Sequence, residues 1–188
     1  GDCTEPYLDG SVVVLTAVPA VGSSFTSWSG GGCSGSGTCV VTMTAATTVT
    51  ATFTLNTFTL TVTPAGAGSG TVTSVPAGIN CGATCSAVYT SAQSVTLTAV
   101  ASGGSAFTGW SGEGCSGTGT CVVAMSQARN VTATFQPTFA LTVNVTAAGT
   151  TGTVSSAPAG ITACAMAGCS ANFTLNQSVT LTATLGNA

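Results

Sequence analysis

The stretch Phe107–Met125, FTGWSGEGCSGTGTCVVAM, closely repeats the earlier stretch Phe25–Met43, FTSWSGGGCSGSGTCVVTM. The second stretch lies 82 positions after the first, and this spacing continues to Phe53 and Phe135. A fixed period of this length is typical of proteins in which one period forms one structural unit. The sequence therefore predicts tandem repeats of about 82 residues.

When the spacing of 82 residues is extended to both ends of the sequence, it divides the chain into three repeats, of which one is complete. Residues 55–136 form the complete repeat. Residues 1–54, the first repeat, lack the opening hairpin, and residues 137–188, the third repeat, lack the Trp-Cys half. We expect both ends of the chain to cut through a repeat. The sequence leaves open whether the chain is a whole subunit or a window of a longer repeat protein.

Apolar residues alternate with Thr through the complete repeat, which is typical of half-buried strands. The alternating residues 58–63, the turn PAGAGSG and the returning residues 70–75 predict a hairpin. About seven short strands are expected in this repeat, and no stretch has helical periodicity with caps. The joints at residues 54–57 and 136–138 are short, so an all-β chain of small sandwich-like repeats forming a rod is predicted.

The composition argues against several classes of function. The chain has one basic residue, Arg129, four acidic residues and no His. General acid-base catalysis needs a His or paired carboxylates, and the complete repeat holds only Glu113, so we predict that the protein is not an enzyme and has no cofactor. Nucleic-acid binding needs a basic surface. Pure apolar runs such as Val12–Leu15 are far shorter than the ~20 residues of a membrane-spanning helix.

The nine Cys residues indicate an oxidising compartment, so we expect an extracellular location. A zinc site needs sets of thiolate or imidazole ligands with regular spacing, and the absence of His and the differing spacers argue against a metal. Three pairings are open to four Cys in a repeat, but the partial repeats favour local ones. Cys3 has no neighbour and is predicted to be unpaired or intermolecular. The predicted local disulfides join Cys33 to Cys39, Cys81 to Cys85, Cys115 to Cys121 and Cys164 to Cys169.

Two pairs of aromatic residues have two interpretations. Phe25 and Trp28 precede the first C-x5-C turn, and Phe107 and Trp110 precede the second. Beside a disulfide-closed, Gly-rich turn these rings are expected to form a small structural core. The alternative is an aromatic platform that stacks on a sugar.

The sequence pattern as a whole resembles a known family. The segments LTVT, GTV, PAGINCGATC, SVTLTAV, FTGWSG, CSGTGTC and VTATF resemble the divergent form of the internalin B-repeat, a bacterial module of secreted and surface-anchored proteins. The resemblance covers essentially the whole chain apart from the first few residues. It implies small β-rich modules, β-grasp-like in the founding repeats, arrayed as stalks, adhesins or cell-surface fibres. It offers no catalytic residues to transfer.

Several surface groups carry weaker signals. Asn130, Asn144, Asn172 and Asn176 each begin a formal glycosylation sequon, a motif that arises by chance in a Thr-rich bacterial chain. Glu113 and Arg129 have no counterpart in the first repeat, so a surface ion pair worth ~0–1 kcal/mol is expected between them.

These observations favour a structural or adhesive extracellular protein, a subunit or segment of a bacterial filament or stalk. Incomplete repeats leave apolar sheet edges uncovered, and such edges invite strand addition by another chain. The expected partners are copies of the chain, joined head to tail, or flanking repeats of the same chain, with no nucleic acid and no membrane span. The alternative is a carbohydrate-binding surface module that contacts surface glycans.

Overall fold

The computed structural model describes residues 3–146, 152–165 and 168–186, and within them the chain is built from β-strands. No helix occurs among these residues, so none is long and apolar enough to span a membrane, and the predicted all-β class is confirmed. Abundant Val and Thr favour this outcome because their side chains pack well on a pleated surface. The strands are β1 Val12–Leu15, β2 Ser23–Gly30, β3 Cys33–Gly35, β4 Cys39–Thr42, β5 Thr50–Leu55, β6 Thr57–Ala65, β7 Gly70–Val75, β8 Asn80–Cys81, β9 Ser86–Thr90, β10 Ser94–Ala101, β11 Ser105–Ser111, β12 Cys121–Ala124, β13 Arg129–Val143, β14 Gly152–Ala157, β15 Cys169–Thr174 and β16 Thr180–Leu185.

Contacts divide the chain into two compact units. The first comprises Gly1–Thr59, Val88–Gln93 and Ala124–Ala128, and the second comprises Leu60–Ala87, Ser94–Val123 and Arg129–Ala188. In the first unit, β1 and β4 form a two-stranded sheet, and a second sheet has the order β3-β2-β5. Its buried centre consists of Trp28, Cys39 and Val41.

The complete repeat contains two sheets. One has the strand order β12-β10-β7-β8 and the other the order β11-β13-β6-β9. Alternate residues of these strands face inward, and Leu60, Leu97 and Val131 are all 0% exposed. Burying each such aliphatic side chain stabilises the fold by about 1.5–3 kcal/mol. The inward faces of the two sheets thus form the core of a small β-sandwich.

The hairpin predicted for residues 58–75 is wrong. β6 pairs with β13 and β9, whereas β7 pairs with β10 and β8, so the two strands lie in different sheets. The loop between them passes over β13, where the amide N–H of Gly68 donates to the carbonyl oxygen of Phe135 at 3.0 Å. A Cβ on Gly70 would meet the Phe135 ring. The Gly residues therefore allow this loop to approach β13 closely. They do not form the tight turn of a hairpin.

β13 runs without a break through the predicted joint at residues 136–138. Its first part pairs antiparallel with β11 and parallel with β6, and its last part pairs antiparallel with β15. In the parallel ladder Val131 lies opposite Val62. Parallel neighbours need a long connection, and here nearly the whole complete repeat separates β6 from β13 along the chain.

The joint between the first and the complete repeat is fixed by hydrogen bonds around one residue. Asn56 lies between β5 and β6. Its amide donates to the carbonyl of Gly22 at 2.9 Å, and its carbonyl accepts from the amide of Ser91 at 2.7 Å.

The joint between the complete and the third repeat has matching hydrogen bonds. The amide of Thr138 donates to the carbonyl of Gly104 at 2.8 Å, and the carbonyl of Pro137 accepts from the amide of Leu175 at 2.9 Å. In the repeat register Gly104 matches Gly22, and the second joint is one residue shorter than the first. The two backbone contacts that Asn56 makes are therefore divided between Thr138 and Pro137 at the second joint.

The substitution Gly68→Ala tests the close approach of the β6–β7 loop to β13. A Cβ at this position would lie 2.6–2.8 Å from backbone atoms of Gln136, so the loop or the strand must shift. We expect the free energy of unfolding to fall by about 1–3 kcal/mol, the usual cost of overpacking. Urea unfolding followed by circular dichroism measures the change.

The matched control for this prediction is Gly103→Ala. A Cβ there would meet nothing within 4 Å. Removing a Gly from an unconstrained site reduces the entropy of the unfolded chain, so this variant should be equal to or slightly more stable than the parent. Equal unfolding midpoints for the two variants would contradict the close approach.

Candidate functional site

The Trp-Cys segments place two aromatic rings on one side of a strand. In a regular strand, residues three positions apart point to opposite faces. The ladders of β2 with β5 and of β11 with β13 each shift register just after Phe25 and Phe107. A bulge of this kind adds one residue to one strand, so Phe and Trp come to share a face. The ring centroids lie 5.1 Å apart for Phe25 and Trp28, and 4.9 Å apart for Phe107 and Trp110.

Both indole rings are enclosed and have satisfied N–H groups. Trp28 is 7% exposed and Trp110 is 5% exposed. The Nε1 of Trp28 donates to the carbonyl of Gly37 at 2.8 Å, and the Nε1 of Trp110 donates to the carbonyl of Gly119 at 2.7 Å. A sugar platform requires an exposed ring face, whereas these rings pack beneath the disulfide-closed turns.

Each short-spaced Cys pair forms a disulfide in the structure. A loop of this length closed by a disulfide stabilises the fold by about 2 kcal/mol in the chain-entropy account. The bonds therefore hold local turns inside single repeats, and Cys3 is a free, exposed Cys. The Cα–Cα distances are 5.4 Å for Cys33 and Cys39, 4.2 Å for Cys81 and Cys85, 5.5 Å for Cys115 and Cys121, and 5.7 Å for Cys164 and Cys169.

The polar groups singled out in the sequence lie at the surface. Arg129 and Glu113 form an ion pair whose side chains remain partly exposed, so its contribution is small. Within residues 3–146, 152–165 and 168–186, no group of three or more His, Cys, Asp or Glu is placed to hold a metal ion. The sequon residues are exposed: Asn130 lies in β13, Asn144 follows it, Asn172 lies in β15 and Asn176 lies in the next turn.

The first repeat contains one half of an apolar core. Its sheets end in β1 and β5, which are edge strands. The inward residues Val13, Leu15, Met43 and Val49 are only half buried, whereas the matching residues of the complete repeat, Val95, Leu97, Met125 and Val131, are 0% exposed. In the complete repeat β10, which contains Val95 and Leu97, pairs with β7, and β13, which contains Val131, pairs with β6.

Phe53 shows the same difference most clearly. It is 45% exposed, while its match Phe135 is 1% exposed and lies beneath the β6–β7 loop. A cavity of about 490 Å³ opens in the first repeat, lined in part by Val13, Leu15 and Val49. Cys3, Thr4, Glu5 and Tyr7 of the N-terminal segment line the same cavity.

The third repeat contains the other half of a core. β14 and β16 form a two-stranded sheet, and β15 pairs with the last part of β13. Phe139 and Leu181 are exposed, although Leu97, the match of Leu181, is fully buried in the complete repeat. A cavity of about 430 Å³ is lined by residues that include Phe139, Leu141, Phe173 and Leu181.

The two half-built cores are complementary. The third repeat contains strands that match β6 and β7, and the first repeat contains strands that match β11, β12 and the first part of β13. β1 and β16 both match β10, so this one strand is present in each half. The candidate functional site is therefore the pair of apolar sheet edges in the first and third repeats.

The strand pattern alone does not identify the exposed residues at these edges. Phe53 and Phe139 occupy positions in alternating strands that are typical of core residues. The pattern therefore does not distinguish them from buried residues. The repeat register would have identified them. Phe53 matches Phe135. The loop over Phe135 joins β6 to β7, and the register places these two strands only in the second and third repeats.

Comparison with known proteins points to one family. A family model described as divergent InlB B-repeat domain matches residues 1–57 and residues 58–139, which together exceed half of the chain. The boundary between the two matches lies next to Asn56, the residue at the first joint. Comparisons with curated proteins and with solved structures gave no significant match.

The substitution Trp110→Ala tests the structural role of the buried ring. Removal of a buried aromatic side chain usually lowers the free energy of unfolding by about 3–5 kcal/mol, and we expect a loss in this range. Urea unfolding measures it, with Trp110→Phe as the control that keeps a ring and should lose much less. A normal unfolding midpoint for Trp110→Ala would contradict the core assignment.

Proposed function

Because the chain belongs to the divergent InlB B-repeat family, we propose that this bacterial surface repeat module is a structural or adhesive element of a filament or stalk. Copies of the chain join head to tail through the two half-built cores. The exposed Phe53, whose match Phe135 is buried, is the observation that carries this proposal. Large apolar side chains left at sheet edges favour the addition of further strands.

The proposed location is extracellular. Eight of the nine Cys form local disulfides, and such bonds persist in oxidising compartments. The chain has one basic and four acidic residues, which favours neither a nucleic-acid partner nor general acid-base catalysis.

The matching joints support a regular array of repeats. Asn56 and the pair Pro137 and Thr138 make equivalent backbone hydrogen bonds with neighbouring repeats. Joints of only three or four residues favour a stiff rod over loosely strung modules. Different surfaces at the two ends of such a rod form a heterologous contact, which propagates when it does not close into a ring.

We expect the purified chain to polymerise as its concentration rises. Light scattering should show growth beyond the 17.9 kDa monomer, and negative-stain images should show fibres. Monomers at every concentration would contradict head-to-tail assembly. An intact mass of the native protein well above this value, made up of further repeats, would show that flanking repeats of the same chain complete the half-built cores.

We also expect no saturable response to glycans. Trp28 and Trp110 are buried, so their fluorescence should not change when the chain is titrated with oligosaccharides of bacterial and host surfaces. A saturable shift, abolished by Trp110→Phe, would favour the carbohydrate-binding alternative.

A further inference from the structure

We propose that the outer face of one sheet of the complete repeat is a contact surface for a second copy of the chain. The sheet has the strand order β12-β10-β7-β8. Its outer face, which we call the valine face, exposes Val75, Val100 and Val122. The contact joins copies side by side, so it goes beyond the proposed head-to-tail assembly and uses none of the strands that form that assembly.

The valines of this face point away from the core of the sandwich. Val75 is 71% exposed, Val100 is 60% exposed and Val122 is 61% exposed. In the ladder of β10 with β7, Thr96 lies opposite Val75, and Val100 lies opposite Thr71. The inward residues of these strands are buried instead, so the valine face is a solvent-facing surface of Val and Thr side chains.

The other outer face of the same sandwich shows that strands of this kind form without exposed valines. There β6 and the first part of β13 lie side by side. Their outward residues are Thr61, Thr63, Asn130, Thr132 and Thr134. Thr favours strands as Val does, and the solvated face of an antiparallel sheet is normally polar. Exposed apolar patches commonly mark contact sites, so the valines are better explained by a contact than by strand formation.

The valine face has no charge that would select a charged partner or repel a second copy. β7, β8, β10 and β12 contain no Asp, Glu, Lys or Arg. Three of the four acidic residues lie within the first ten residues of the chain, and the fourth, Glu113, is paired with Arg129. Long-range repulsion between the valine faces of two copies is therefore weak. An uncharged face is also complementary to itself, which a symmetric pair requires.

Exposed valines recur at the spacing of the repeat. Val40 of the first repeat matches Val122 and is 56% exposed, and Val18 matches Val100 and is 80% exposed. In the first repeat Val40 lies opposite Val14, which is also exposed. A second copy of the chain offers the same contacts at the same spacing. Linked contacts reinforce one another because each forms at the high effective concentration set by the one before, so the recurrence favours a copy of the chain as the partner.

The first test compares Thr98→Lys with Thr63→Lys in the full chain. Both are exposed Thr residues in interior strands, Thr98 in β10 on the valine face and Thr63 in β6 on the opposite outer face. A charge enclosed between two apolar faces is costly, so Thr98→Lys should raise the dissociation constant of side-by-side pairs by more than about tenfold. Thr63→Lys should leave it unchanged. Sedimentation equilibrium measures both constants.

The second test replaces Val75, Val100 and Val122 together by Thr, which gives the valine face the character of the opposite face. Thr is β-branched like Val, so the strands should be retained, and thermal unfolding checks this. The contact then removes less apolar area from water, and we expect pairs to weaken by more than about tenfold. A folded triple variant that pairs as tightly as the parent would overturn the proposed contact.

The results separate this inference from head-to-tail assembly. If only head-to-tail assembly fails, pairing still gives a discrete dimer of the 17.9 kDa chain. If only pairing fails, fibres of the parent and of Thr98→Lys have the same width in negative-stain images. Equal dissociation constants for Thr98→Lys and Thr63→Lys also contradict pairing through the valine face.

A lipid surface is the other occupant that an uncharged apolar face could take. Flotation with vesicles of neutral phosphatidylcholine tests it. We expect the parent chain to stay in solution as pairs and not to float with the vesicles. A parent chain that floats with them, stays monomeric without them and is released by Thr98→Lys would assign the valine face to lipid and overturn the pairing.

Discussion

The fold depends on apolar packing and pairing between strands that lie far apart in the sequence. β6 and β13 are parallel neighbours, and almost all of the complete repeat separates them along the chain. With one basic and four acidic residues, the chain has little electrostatic stabilisation. Apolar burial between the sheets therefore provides most of the stability. Each disulfide spans a sequence separation of four to six residues and holds only a turn.

The local features of this fold could be predicted from sequence because they depend on short spacings. Thr and apolar residues alternate, so strands such as β7 and β10 are found close to their expected bounds. The long-range features could not be predicted in this way. The alternation in β6 and β7 is the same whether they pair with each other or with other strands, so the pattern predicts a hairpin that the structure does not contain. The bulges after Phe25 and Phe107 cannot be predicted from composition. The Phe-x-x-Trp spacing indicates a bulge only if the Phe and Trp side chains must lie on the same face of the strand.

The candidate site is harder to predict than the strands that form it. Phe53 is an ordinary inward-facing residue by its pattern, and only comparison with Phe135 shows that its cover is missing from the described structure of the first repeat. Natural proteins commonly protect edge strands with charged residues, above all Lys, or with Pro. β1 and β5 contain neither, since their sequences are VVVL and TATFTL. The open edges are thus left without the features that usually prevent strand addition.

The parallel pairing of β6 with β13 also has a mechanical consequence. β6 opens the complete repeat and β13 closes it, and the two strands are hydrogen-bonded side by side in the same direction. Tension applied through the chain pulls β6 towards its beginning and β13 towards its end, so it acts along the strands and loads the hydrogen bonds of the ladder together. Two antiparallel terminal strands would instead open one bond at a time. The repeat is therefore arranged to resist stretching by shear.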